Sequence, residues 1–124
     1  AEVLAKKRHK VHMEGQDVFK AAVRNLASAA RAALDHNGVA AHEVDWVVAH
    51  QANLRILSAM AQRVELPMEK FFINIHKYGN TSSASIPIAL SELIEEGDKL
   101  KPGQLVLMSA LGAGISWGSA LVRW

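Results

Sequence analysis

Short apolar runs alternate along this chain with longer stretches of helical periodicity, and that alternation leaves few architectures open. The runs are VDWVVA at residues 44–49, KFFINI at 70–75 and QLVLMSA at 104–110. Their length and their β-branched and aromatic content suit strands, and VDWVVA is apolar enough to be buried on both faces. Between them the period changes. Over residues 16–36, Val18, Phe19, Ala22, Val23, Leu26, Ala30, Ala33 and Leu34 fall on one helical face, and Asn37-Gly38 is a stop signal. A second helix is expected over 51–64 with Ile56, Leu57, Met60, Ala61 and Val64 inward, ended by Leu66-Pro67. A third is expected over 81–96 with Ile86, Leu90, Leu93 and Ile94 inward, Pro87 near its start and Gly97 closing it. Lys101-Pro102-Gly103 turns the chain into the 104–110 strand, and residues 115–124 alternate as a last strand. Strands interleaved with helices predict an α/β fold with a mixed, mainly parallel sheet, its last pair antiparallel.

The chain has 124 residues, half of them hydrophobic, which suits one small domain with a real core. The formal charge is only +2, with the basic residues scattered apart from Lys6-Lys7-Arg8-His9-Lys10. Aromatics make up 6% and do not interleave with basic residues, so nucleic acid is not expected as a partner. A local basic face for an acidic protein stays open. No apolar run approaches the roughly 20 residues that cross a bilayer, so no membrane role is expected. With no cysteine there is neither a disulfide nor a thiolate metal site, which fits a cytoplasmic setting, and no thiol nucleophile is supplied by these residues.

In open α/β sheets ligands gather beyond the carboxyl ends of the strands. Two polar clusters fall there: residues 50–55 (HQANLR) after the first strand, and 78–83 (YGNTSS) after KFFINI. If those strands are neighbours, His50 and Asn80 can converge and donate hydrogen bonds to one oxygen that gains negative charge. Each residue also has a structural reading. Asn80 and Thr81 can cap a helix, Gly79 can permit a turn, and His50 can close a strand. His9, His12, His36 and His42 show no ligand spacing, so no metal is expected. His36 suits a helix C-terminus, and His76 reads as a turn residue.

The motifs carry a resemblance that goes further. HQANLRI (50–56) is similar to the histidine motif of the β-ketoacyl-acyl-carrier-protein synthase III family, and YGNTSSASIPIAL (78–90) to its asparagine motif. MEGQDVFKAAV (13–23) and KPGQLVLMSALGAGISWGSALVRW (101–124) also resemble that family. The resemblance implies residues 1–124 as the C-terminal half of a thiolase-like fold. It also implies a condensing enzyme whose acyl group rides on a cysteine of the N-terminal half. The substrates would be acyl-coenzyme A and malonyl-acyl carrier protein, with no bound cofactor. His50 and Asn80 would be the catalytic pair that stabilises the enolate, with the imidazole neutral. Asn53 would lie near the pantetheine arm, and Gly112-Ala113-Gly114 would line the pocket beside the nucleophile. Arg55 would help dock the acidic carrier protein, although an exposed helix residue is its plain alternative. Ala113 and Leu111 stand where glycine and phenylalanine are usual, which bears on acyl-chain preference.

The implied partners are the N-terminal half of the same enzyme, the carrier protein and a second copy in a homodimer. The resemblance further implies a central first strand ahead of Ala1, so that these residues are expected to be ordered only beside the remainder. Two other readings stand beside this one. One is a thiolase-like synthase of secondary metabolism using coenzyme A thioesters; the other is a non-catalytic assembly module.

Overall fold

The structure, a computed structural model, describes Ala5 and residues 15–124; the basic run at 6–10, His9, His12 and the start of the 13–23 motif lie outside the described residues. Helix α1 (Gly15–His36) leads through a 3-10 turn (Ala41–Glu43) into strand β1 (Trp46–Ala49). Helix α2 (Leu54–Val64), a 3-10 turn (Met68–Lys70), the single-turn helix α3 (Ile75–Tyr78) and a 3-10 turn (Ser82–Ala84) follow. Helix α4 (Ser85–Glu95) then precedes the hairpin of β2 (Leu105–Gly112) and β3 (Ser116–Arg123). The sheet runs β1-β2-β3, with β1 parallel and β3 antiparallel to β2.

Three layers result from the alternation within the strands. Val47, Ala49 and Leu107 face one core, built with Ala22, Leu26 and Ala30 of α1 and Leu57, Met60 and Val64 of α2. Val48 and Val106 face the other, closed by Ala89 and Leu93 of α4, Leu100 and Phe72. Strand β1 is therefore covered on both sides, as its near-continuous apolar sequence requires. The small residues Ala22, Ala27 and Ala30 let α1 approach closely, and all are buried. The five expected inward residues of α2 are all buried, and Glu65 ends that helix in the left-handed region, donating its N–H to Ala61 and Gln62.

Three expectations need correction. Residues 70–75 do not form a strand. Lys70 sits in a 3-10 turn, Phe71 makes one isolated parallel bridge to Val47, and Phe72 donates its N–H to Val47 O at 2.9 Å. Phe71 and Phe72 keep strand-like alternation, since each is buried in a different core. The ladder then stops because Asn74 leaves the extended region (φ −135°, ψ 12°) to begin α3. In α4 the buried line is Ser85, Ala89 and Leu93, with Ile86 and Leu90 partly covered, while Ile94 is 43% exposed. A position one residue after Leu93 is rotated about 100° from it, off the sheet face. Finally, no strand is missing from the middle of the sheet: β1 and β2 pair directly, Val47 with Leu107 and Val48 with Met108.

The two helical positions give a direct test of these faces. Leu57→Ala should lower the unfolding free energy by about 3 kcal/mol through the cavity it leaves, whereas Ile94→Ala should change it by no more than about 0.5 kcal/mol. Urea titrations of the two variants beside the parent protein measure both.

Candidate active site at the carboxyl edge of the sheet

His50 follows the last residue of β1 and is pinned at that edge by its own backbone, which donates to Ser109 O on β2 at 2.8 Å. Its ring is half-buried. Burial pushes the imidazole below the ordinary histidine value of 6.5, and contact with the Ser82 backbone offsets part of that shift. A ring so placed is neutral at neutral pH. Gln51, next in sequence, turns inward and is buried.

Asn80 reaches the same edge from the segment that leaves β1's flank at Asn74. Gly79 makes the bend, with a φ of +70° that side chains other than glycine rarely adopt. The Asn80 side chain is exposed, and its Oδ1 accepts the Ser82 N–H at 3.1 Å. With its oxygen held by its own backbone, the carboxamide keeps its N–H donors for other use. Thr81 and Ser85 share a hydroxyl contact of 3.2 Å, which anchors the start of α4.

Ser82 is the residue that the sequence did not single out. Its backbone opposes the lowering of the His50 pKa, its N–H holds Asn80, and it occupies the left-handed region at φ 54°. Such a conformation is costly for a side chain other than glycine and persists where surroundings dictate it. Nothing in a Thr-Ser-Ser run signals that. Through Ser82 the structure brings the histidine and asparagine motifs together.

The glycine motif is the hairpin turn at that same edge. Because β1 and β2 are parallel and end their pairing at Ala49 and Ser109, β2 runs on for residues 110–112 past the end of β1. Gly112 closes the strand opposite Ser116, where an added Cβ would lie 2.9 Å from the rotatable Ser116 Oγ. Ala113 and Gly114 form the exposed tip, and Ser116 Oγ donates to Ala113 O at 3.3 Å.

Asn53 and Arg55 lie one step further out. Asn53 caps α2, its Oδ1 accepting the Arg55 N–H at 2.8 Å. Arg55 is exposed and lays its guanidinium over the Phe19 ring of α1, 5.5 Å from the centroid. His36 sits in the last turn of α1, and His76 is exposed on α3. Among the described residues no group of three or more His, Cys, Asp or Glu is placed to hold a metal, and no helix is long and apolar enough to cross a membrane.

Residues 34–124 match the family described as 3-oxoacyl-[acyl-carrier-protein (ACP)] synthase III C terminal. The chain belongs to that family. It is 51% identical over 114 residues to the β-ketoacyl-[acyl-carrier-protein] synthase III of Aquifex aeolicus, covering 92% of this chain and 37% of that one. The crystal structure of the Aquifex aeolicus VF5 3-oxoacyl-[acyl-carrier-protein] synthase III superposes with a TM-score of 0.88, covering 91% of this chain and 36% of that one. A priming β-ketosynthase of the R1128 polyketide biosynthetic pathway superposes at 0.82 with 35% identity, covering 90% of this chain and 34% of that one. The chain thus spans little more than a third of the length of the relatives it matches, and its fold is the C-terminal part of theirs.

Proposed function

We propose that this chain is the C-terminal part of a decarboxylating condensing enzyme of fatty-acid synthesis, in which residues 1–124 supply the enolate-stabilising donors. A malonyl thioester, carried by acyl carrier protein, loses carbon dioxide, and the electron pair of the broken bond becomes an enolate. The enolate carbon attacks the carbonyl of an acyl group held on a cysteine outside this chain. The cysteine leaves as thiolate and a 3-oxoacyl thioester forms. His50 and Asn80 donate hydrogen bonds to the thioester oxygen as it takes up charge, and Gly112, Ala113 and Gly114 border the space in which it sits. Asn53 lies along the approach of the pantetheine arm, and Arg55 meets the acidic carrier.

The observation that supports this reading is that Ser82 is linked to both residues: its N–H donates to Asn80 Oδ1 at 3.1 Å, and its backbone acts on the His50 imidazole. A neutral imidazole and a carboxamide can donate without transferring a proton, which is what an enolate oxygen requires. The working site also needs the N-terminal half and pairing of the whole enzyme in a cytoplasmic homodimer. A second destination, a secondary-metabolic synthase using coenzyme A thioesters, draws support from the likeness to a polyketide priming ketosynthase.

Three outcomes test the proposal in the full-length protein. His50→Ala and Asn80→Ala should each lower kcat for malonyl-thioester decarboxylation by about 10² to 10³; wild-type rates in both would reject the assigned roles. The neutral imidazole is the working form and its pKa is lowered, so the acid limb of decarboxylation should fall below pH 6.5, tracked as kcat/KM against pH. Arg55→Glu should raise KM about tenfold for malonyl-carrier protein and leave malonyl-coenzyme A unchanged. Equal effects on both would favour the coenzyme A reading.

A further inference from the structure

The side chain of Gln51 is 1% exposed and makes three hydrogen bonds. Its Nε2 donates to Ala49 O at 2.9 Å and to Phe72 O at 3.2 Å. Its Oε1 accepts the Asn74 N–H at 3.2 Å. The first partner lies on β1; the other two lie on the segment that runs beside it. That segment shares only the Val47–Phe71 bridge with β1, so backbone pairing ends three residues before His50. The Gln51 amide takes over where the ladder stops, bridging the two segments as further rungs would.

The placement of this clip matters more than its size. On one side it is covalently next to His50. On the other it holds Phe72 and Asn74, the root from which the chain departs towards Asn80. Asn74 is itself 2% exposed, and its Nδ2 donates to Glu92 Oε2 on α4 at 3.0 Å. Lys77 pairs with the same carboxylate, so the root is also tied to the helix behind it. We infer that Gln51 is a positioning residue that sets the separation between His50 and the Asn80 loop. The inference rests on the enolate-stabilising reading of that pair. A donor shifted by about 1 Å can cost about a hundredfold in rate, and the clip is the buried polar link that fixes this spacing.

The test uses two variants of the full-length enzyme. Gln51→Met matches the side chain in length but leaves Phe72 O and the Asn74 N–H without their partner. It should cut decarboxylation kcat by roughly ten- to a hundredfold with KM unchanged, while circular dichroism still shows a cooperative melt. Gln51→Glu adds a readout that a merely structural role would not move. As a carboxylate it faces two carbonyl oxygens with no proton to give; once protonated it donates to one and still accepts from Asn74. Burial raises the pKa of such a carboxyl, so its rate relative to wild type should climb as pH falls from 8 to 6. The titrating groups around the clip are His50, Glu92, Lys77 and His76, and all are present in the wild-type reference. A Gln51→Met enzyme with wild-type kcat, or a Gln51→Glu ratio that is flat with pH at any level of activity, overturns the inference. If Gln51→Met does not fold, the Gln51→Glu ratio decides alone. Run in parallel, His50→Ala and Asn80→Ala separate the two failures. Unchanged rates there sink the functional reading itself, whereas loss there beside an indifferent Gln51 sinks only the clip.

Discussion

Direct parallel pairing of β1 with β2 is the constraint on which the remaining features depend. It puts Val47 and Leu107 into one core and Val48 and Val106 into the other, so helices are needed on both faces. It also aligns the carboxyl ends of the two strands. His50 then emerges beside Ser109, and the extra length of β2 carries the Gly112 turn past it. A slip of one residue would exchange every side chain between the two cores and aim His50 the other way. The polar edge is thus a product of apolar register. Polar contacts, the Gln51 amide among them, then act within the frame that this register sets.

Much of this was legible in advance because periodicity reports burial. The inward faces of α1 and α2, both faces of β1, and the hairpin of β2 and β3 follow from the spacing of apolar residues. What was not legible depends on where a neighbour happens to run. KFFINI has the composition of a strand, and Phe71 and Phe72 behave as strand residues, but ladder length is a property of two chains and Asn74 ends it. Ile94 was expected inward because it is apolar at a near-helical spacing. Yet the sheet reaches only the line through Ala89 and Leu93. The central strand ahead of Ala1 is what the family resemblance implies, and direct β1–β2 pairing leaves no place for it between those two strands.

The candidate site divides in the same way. His50, Asn80 and the Gly112–Gly114 turn were visible as motifs, since their residue types suit hydrogen bonding at strand ends. Ser82 and Gln51, which connect those motifs, were not. Ser82 acts through its backbone, which every residue possesses. Gln51 acts by pointing inward where a glutamine would ordinarily point to water. Asn53 shows the converse: its observed bond is a helix cap, a structural task that says nothing against a second one.

The left-handed backbone of Ser82 carries a consequence for how this region responds to damage. A serine holds that shape only where its surroundings impose it, and here its N–H is bonded to the Asn80 carboxamide while its backbone acts on the His50 imidazole. Removing either restraint lets the peptide relax and alters what the survivor sees. The two side chains therefore belong to a single mechanical unit, and losses inflicted on them separately will not sum to the loss inflicted on both.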